Sequence, residues 1–266
     1  MESTSTLAAG RRYFLTVDAE TEVLAEGIAA VNEIRERVEK ESSMRIPIVW
    51  LIRFQRTWNE YIDNDSPEYF AGPISRSFDG FELGKPLLRE LQRRGDEIGW
   101  HYHAYNYVHR DDLTHERKIA ILRADLASCG AEIFRRHPEF EVQSFRFGWY
   151  FVPDYNLYEI LAGYGIRIDA STRPDLAGQR VKKFNVYFPP AVPCLPAKIK
   201  GTWFLPAEPE RLVHDFNVVA HQLGWTSQDE QAASQRRAAY ETMLWSMVRE
   251  CRESGASFST YRDAFA

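Results

Sequence analysis

Residues 95–105 have the sequence Gly-Asp-Glu-Ile-Gly-Trp-His-Tyr-His-Ala-Tyr. They follow a predicted amphipathic helix in which leucines recur at helical spacing, and Gly95 ends that helix. Residues 97–103 are predicted to form a short strand, and His101 and His103 share one face of it because side chains alternate along a strand. Two imidazoles at a strand end can bind one metal ion such as zinc. The alternative is that both histidines are polar residues that cap the strand.

The composition of the 266-residue chain is typical of a single globular domain. Hydrophobic residues make up 44% and charged residues 27%, so we expect one domain over residues 1–266 with a flexible leader at 1–12. The net charge of -5 provides no basic surface, and nucleic acid is not expected as a partner. The widely spaced Cys129, Cys194 and Cys251 favour a reducing compartment over disulfides or a cysteine zinc site.

The sequence has no pattern that indicates export or membrane insertion. Residues 1–10 lack the features of a signal peptide, and no apolar stretch has the length of a membrane span. We therefore expect a cytoplasmic protein without a membrane span. The sequence leaves the oligomeric state open.

Strand and helix patterns alternate along the chain. Predicted strands cover residues 13–17, 46–52, 97–103, 140–147, 163–171, 216–221 and 256–260, and predicted helices cover 24–38, 113–134, 156–162 and 227–254. Residues 54–80 are expected to be irregular, and residues 173–210, rich in proline and aromatic residues, to form loops and short extended pieces along one wall of a cleft. The alternation predicts an α/β fold of parallel strands joined by right-handed crossovers.

Polar side chains gather at the predicted ends of these strands. They are Asp18, Glu20, His101, His103, Arg146, Asp169 and His221. Because the carboxyl ends of parallel strands meet at one edge of a barrel, we expect these side chains to converge on one site. The remaining histidines, at positions 109, 115, 137 and 214, have no connected spacing and are expected to be solvated.

These segments resemble motifs of the polysaccharide deacetylase family, carbohydrate esterase family four, over about residues 13–263. Thr16-Val17-Asp18 is similar to the first motif, whose aspartate is the catalytic carboxylate. Residues 95–101 are similar to the second motif, Gly-His-Glu-Ile-Gly-x-His, whose last histidine binds metal.

Three further segments resemble the later motifs of this family. Arg146 and the aromatic, glycine-containing turn after it are similar to the third motif, which lines the cleft and orients the acid–base groups. Residues 165–171 are similar to the fourth motif. His221 is similar to the late histidine that protonates the leaving group.

The chain departs from the family pattern at two metal-binding positions. Ala19 stands where the family has a second aspartate, and branches with an Asp-x-Glu pattern suggest that Glu20 takes its role. Tyr105 stands where the family has a second histidine, and branches with a His-x-His pattern suggest that His103 replaces it.

The resemblance implies a distorted (β/α)7 barrel that removes an acetyl or other N-acyl group from an amino sugar or oligosaccharide. Bacterial surface-polysaccharide biosynthesis, of the O-antigen or capsule kind, is the expected setting. The resemblance also implies one divalent metal ion, with zinc first and cobalt or nickel as alternatives, bound by Glu20, His101 and His103. Such an ion lowers the pKa of a bound water from 15.7 toward about 7 and polarises the carbonyl group.

Roles for the remaining residues follow from the same resemblance. Asp18 is expected to take the proton of the attacking water, His221 to protonate the departing amine, and Arg146 to hold Asp18 in place. The predicted substrate contacts are Tyr105, Trp149, Asp169 and Trp203.

Simpler interpretations stay open at this stage. Asp18 can be a helix N-cap, Arg146 a structural ion-pair partner and His221 an ordinary histidine. Asp169 can hydrogen-bond Ser171 in a turn, and the aromatic residues can serve only packing. For the whole protein, the alternatives are a metal-independent C–N hydrolase similar to allantoinase relatives, and a sugar-binding barrel without catalytic activity.

Overall fold

The structure of the protein is a computed structural model that describes most of the chain. The residues it describes are 12–20, 24–58, 76–104, 113–148, 154–172, 180–181, 186–187, 197–206, 213–216 and 230–265. They form an α/β fold in which helices pack against a curled mixed sheet, a half-barrel. The α/β class predicted from the alternating patterns is therefore confirmed.

Parallel strands make up most of the large sheet. The strands are β1 (Arg12–Ala19), β2 (Ile48–Trp58), β3 (Arg76–Asp79), β4 (Glu97–Tyr102), β5 (Ser144–Phe147), β6 (Ile168–Thr172), β7 (Arg180–Val181), β8 (Val186–Tyr187), β9 (Ala197–Ile199), β10 (Thr202–Pro206), β11 (Val213–Phe216) and β12 (Ser257–Phe258). Strands β11, β1, β2, β4, β5, β6 and β10 run parallel in that order. Strand β9 is antiparallel to β10, β3 is antiparallel to β2, and β12 pairs with the start of β1. Strands β7 and β8 form a separate antiparallel pair.

Most of the helices cover one face of this sheet. They are α1 (Leu24–Ser42), α2 (Gly80–Arg93), α3 (His115–Arg136), α4 (Tyr158–Gly163), α5 (Glu230–Ser254) and α6 (Tyr261–Phe265), with a 3-10 turn at Tyr155–Leu157. Asp79 begins α2 by accepting a hydrogen bond from the N–H of Glu82 at 3.0 Å, which satisfies one of the amides left unpaired at a helix start. No helix in the described part of the chain has the length and apolarity needed to cross a membrane.

The alternation of side chains gives the sheet two different faces. Trp50, Trp100 and Phe145 are fully buried on the face under the helices, where they pack with the apolar stripes of α1, α2 and α3. On the other, concave face, Leu51 of β2 and Ala170 of β6 belong to one packed cluster. Because β4 and β5 lie between these two strands, the sheet must curl to bring their side chains together.

Strand β2 is longer than the sequence patterns predict. It continues to Trp58, although residues 54–80 are predicted to be irregular. Phe54 and Gln55 pair with β3, which lies at the other end of the predicted irregular segment. The prediction is wrong at both ends of that segment, because the residues there form an antiparallel strand pair.

The last strands also differ from the prediction. Strand β11 ends at Phe216, where the predicted late strand 216–221 begins, and the rest of that prediction falls on residues 217–229, which lie outside the described residues. The closing strand predicted at 256–260 is limited to β12, and α6 follows it at Tyr261. Tyr261 is fully buried against Phe14, so the end of the chain packs onto the concave face.

His137 is buried, and the prediction that it is solvated is wrong. Only 1% of its surface is exposed. Its Nε2 lies 3.1 Å from Oδ2 of Asp79, and its ring stacks on Phe81 with 5.5 Å between the ring centroids. His137 therefore joins the end of α3 to the start of α2 as a structural residue.

Cys129 and Cys251, the two cysteines in the described residues, are free and buried. Burial raises the pKa of the Cys129 thiol to about 12, so the thiolate form that reacts or binds metal is disfavoured. Both residues belong to the packed core.

Glu97, at the start of β4, connects the sheet to α6. Its Oε2 accepts the backbone N–H of Arg262 at 2.8 Å, in the first turn of α6. The side chain of Glu97 is almost fully buried, with 1% of its surface exposed. Burial raises the pKa of Glu97 above its ordinary value of 4.5, although the Arg262 N–H opposes this change.

Glu97→Gln is expected to increase the free energy of unfolding at about pH 8 and to leave it nearly unchanged at about pH 4. The folded chain binds the Glu97 proton more tightly than the unfolded chain does. The wild-type protein therefore loses stability as the pH rises from 4.5 through the raised folded-state pKa. Each unit by which the pKa is raised corresponds to about 1.4 kcal/mol. Denaturant titrations across this pH range measure the difference.

The matched control for this prediction is Glu33→Gln, at an exposed position of α1. It is expected to keep the pH profile of the wild-type protein. If Glu97→Gln also keeps that profile, Glu97 is not the source of the pH dependence.

Candidate metal centre

Three metal-ligating side chains meet at the carboxyl ends of β1 and β4. Nε2 of His101 lies 2.9 Å from Nε2 of His103. The Glu20 carboxylate lies 3.2 Å from Nε2 of His101 and 3.1 Å from Nε2 of His103. All three residues are at most 5% exposed, and together they could hold a metal ion. The structure thus brings together the three ligands predicted from the sequence.

The strands determine where these ligands lie. His101 belongs to β4, in register with Arg53 of β2 on one side and Arg146 of β5 on the other. His103 lies just past the end of β4, and the two-residue period places both rings on the concave face. Glu20 directly follows β1, the strand on the other side of β2.

The separations between the ligand atoms fit coordination of one ion. Atoms that lie about 2.0–2.1 Å from a shared zinc ion, with angles of about 90–110° between them, are roughly 2.9–3.4 Å apart. The two Nε2 atoms are 2.9 Å apart, Oε1 of Glu20 lies 3.2 Å from that of His101 and Oε2 of Glu20 lies 3.1 Å from that of His103, so each of these pairs falls in this range. Two histidines and one glutamate form a known ligand set of catalytic zinc sites, which leave a further position for water or substrate. Two histidines and a carboxylate also bind non-haem iron.

The surroundings of Glu20 and His103 favour an ionised carboxylate and a neutral imidazole. Burial raises the pKa of Glu20, but the neighbouring His101 and His103 outweigh burial and hold this pKa well below its ordinary value of 4.5. Burial lowers the pKa of His103, against the attraction of the Glu20 carboxylate. An ionised carboxylate beside a neutral imidazole is the combination that binds a divalent ion.

Asp18 lies beside the three ligands and is held by Arg146. Nη1 of Arg146 donates to Oδ1 of Asp18 at 2.9 Å, and Nη2 donates to Oγ1 of Thr16 at 3.1 Å. The same Oδ1 lies 4.0 Å from Nδ1 of His101, an atom without a hydrogen-bond partner among the described residues. Asp18 is part of β1, which continues to Ala19, so Asp18 is not a helix N-cap.

Gly148 provides the space that the His103 ring occupies. A Cβ atom at position 148 would lie 2.5 Å from Nε2 and 2.6 Å from Cε1 of His103. Contacts this short do not occur, so any larger residue at position 148 would displace the ring. The sequence prediction includes Gly148 only as part of the turn after Arg146.

The other predicted site residues make different contacts or lie outside the described residues. Those outside are Tyr105, Trp149 and His221. Asp169 accepts hydrogen bonds from the backbone N and the Oγ of Ser171, at 2.9 and 2.6 Å. Trp203 packs against Phe265, with 5.4 Å between the ring centroids. The catalytic role of His221 stays a prediction. So do the predicted substrate contacts, which are Tyr105, Trp149, Asp169 and Trp203.

Two buried polar residues of the site, Arg53 and Gln55, are missing from the sequence prediction. Nη1 of Arg53 lies 3.9 Å from Oε2 of Glu20, and Nε of Arg53 donates to Oε1 of Gln55 at 3.2 Å. A signal for them exists, because Arg53 and Gln55 continue the alternation that Val49 and Leu51 begin on the concave face. That signal indicates a buried polar strand end rather than a loop.

No protein-family model and no curated protein matches this chain. The resemblance to the polysaccharide deacetylases therefore stays a prediction from the motif residues. The function has to be argued from the chemistry of the site itself.

Glu20→Gln is expected to weaken zinc binding by more than about 100-fold. Loss of a residue that only orients a metal ligand weakens binding by up to about 100-fold, and Glu20 is itself a predicted ligand. The variant keeps the size of the side chain but removes the charged ligand that a divalent ion requires. Competition of the purified protein with a chromophoric chelator measures the dissociation constant, and elemental analysis for zinc, cobalt, nickel and iron identifies the metal. Glu33→Gln, at the exposed position on α1, is the control and should bind zinc as the wild-type protein does. Equal zinc binding by both variants would exclude Glu20 as a ligand.

Gly148→Ala is expected to weaken zinc binding by about 10-fold or more, since it displaces the ring of a ligand. The added methyl group meets the movable end of His103, so we expect the unfolding temperature to fall only slightly. Chelator competition and thermal unfolding without metal separate these two effects. A variant with unchanged zinc affinity would show that His103 does not bind the metal in the position described.

Proposed function

We propose that the protein is a metal-dependent hydrolase that removes an acetyl or other N-acyl group from an amino sugar. The observation that carries this proposal is the position of the Asp18–Arg146 ion pair beside the group of Glu20, His101 and His103. A metal site with an adjacent carboxylate supplies what amide hydrolysis needs, namely a place for a reactive water and a base to take its proton.

The strand order supports a distorted (β/α)7 barrel of the deacetylase type as the fold behind this activity. Parallel strands follow each other from β11 through β1, β2, β4, β5 and β6 to β10. In barrels of parallel strands, catalytic residues come from the carboxyl ends of several strands. Glu20 and His103 directly follow β1 and β4, and Arg146 lies in the last half of β5.

In the proposed reaction, Glu20, His101 and His103 hold one divalent ion, with zinc as the first choice and cobalt or nickel as alternatives. When bound, this ion supplies Lewis-acid polarisation of the acyl carbonyl and a water of lowered pKa. Asp18 accepts the proton of the attacking water.

Arg146 and His221 complete the proposed acid–base groups. The planar guanidinium of Arg146 keeps the Asp18 carboxylate oriented through the hydrogen bond at 2.9 Å. His221 gives a proton to the departing amine, a role that its ordinary pKa of about 6.5 suits. This role for His221 comes from the motif resemblance.

The proposal is tested by measuring acetate release from a panel of N-acetylated amino sugars and oligosaccharides. We expect release that stops when a chelator removes the metal and returns when zinc is restored. Ammonia release from ureides without any metal would instead support a metal-independent C–N hydrolase. Binding of sugars without turnover, by protein loaded with metal, would support a sugar-binding barrel.

Asp18→Asn is expected to retain zinc and to lose at least about 100-fold in the rate of acyl release, the lower end of what general-base catalysis contributes. Asparagine keeps the shape of the side chain but does not accept the proton of water. Turnover and zinc content are measured on the same preparation, together with the unfolding temperature, because loss of a buried ion pair also costs stability. Wild-type turnover by this variant would remove Asp18 from its role as the base. Loss of zinc instead would show that Asp18 acts through His101.

A further inference from the structure

Two of the three ligand residues lie beyond the ends of their own strands. Glu20 follows the last residue of β1, and His103 follows the last residue of β4. The regular hydrogen bonding of these strands therefore does not fix the distance between the two ligands. Strand β2 lies between β1 and β4 and extends past both of them, to Trp58.

We propose that Arg53 and Gln55 on this extension form a positioning pair that sets the separation of Glu20 and His103. The pair thereby determines how tightly the centre binds a divalent metal ion. This inference rests on the metal centre of the proposed function, and it assigns a role to two residues outside the motifs.

Hydrogen bonds join the two ligand residues through this pair. Nη1 of Arg53 donates to the backbone carbonyl of Glu20 at 3.1 Å, and Nε of Arg53 donates to Oε1 of Gln55 at 3.2 Å. The same Oε1 accepts the backbone N–H of His103 at 3.4 Å. The main chain at Glu20 is thus connected to the main chain at His103 by two side chains from the strand between them.

Burial and packing keep the pair in one position. Arg53 and Gln55 are both 0% exposed. The guanidinium of Arg53 lies over the ring of Phe78 on β3, with 5.5 Å between Cζ and the ring centroid. A buried guanidinium with fixed donor directions defines distances more sharply than a mobile charge does.

The shape of Arg53 is therefore expected to matter as well as its charge. Nη1 is directed to Glu20 and Nε to Gln55, so one planar group serves both neighbours. A lysine would keep the positive charge near the Glu20 carboxylate but would lose one of these two directions. Loss of groups that orient metal ligands lowers metal affinity by about 10- to 100-fold.

The test compares zinc affinity among wild-type protein, Arg53→Lys and Gln55→Met, by competition with a chromophoric chelator. Arg35→Lys is the matched control. Arg35 is also 0% exposed and pairs with a buried carboxylate, Asp96, at 2.5 Å, but it belongs to α1 on the helix-covered side of the sheet. The unfolding temperature of each metal-free variant is measured in parallel.

We expect the zinc dissociation constant to rise by about 10- to 100-fold in Arg53→Lys and in Gln55→Met. Arg35→Lys should lower the unfolding temperature but keep the zinc affinity of the wild-type protein. If Arg53→Lys does not fold, Gln55→Met alone decides. Wild-type zinc affinity in the variants of the pair that fold would overturn the inference while leaving the metal centre in place. A wild-type protein that binds none of zinc, cobalt, nickel and iron would overturn the metal centre itself.

Discussion

The burial of one carboxylate and two imidazoles within hydrogen-bond distance of each other is the constraint on which the site depends. The two Nε2 atoms are 2.9 Å apart, and each lies close to an oxygen of Glu20. Polar groups that are removed from water must be paired. By mutational measures, each buried polar group without a partner costs about 1–3 kcal/mol of stability. The two ring nitrogens face each other, so a proton on one leaves the other as an acceptor. A divalent cation would satisfy all three ligand atoms at once, which is why a metal centre explains this arrangement best.

The curl of the sheet makes this arrangement possible. Arg146 on β5 reaches Asp18 on β1, although β2 and β4 lie between their strands. The alternation of side chains separates the roles of the two faces, with aromatic residues under the helices and polar residues on the concave side near the strand ends. The same face becomes apolar toward the other end, where Leu51 and Tyr261 pack together in one cluster. One end of the concave face thus carries the buried ionisable residues of the site, and the other end carries an apolar cluster.

Much of this arrangement can be predicted from the sequence, because it depends on local periodicity. The shared face of His101 and His103 follows from their spacing of two, and the carboxylates after β1 follow from their place at a strand end. Other features depend on partners that are distant in the chain. Arg53 and Gln55 continue the alternation of β2, but their contacts cannot be predicted from it because Glu20 and His103 follow other strands. The contacts that fix the buried ring of His137 cannot be predicted from its own segment, because Asp79 and Phe81 come from another helix start.

X-ray absorption at the zinc edge of the zinc-loaded protein tests the central claim most directly, because it reports the ligands themselves. The metal centre predicts one zinc ion per chain, with nitrogen and oxygen ligands at about 2.0–2.1 Å and the scattering pattern of two imidazoles. A first shell without imidazole scattering, or with sulfur at about 2.3 Å, would contradict the assignment of Glu20, His101 and His103 as the ligands.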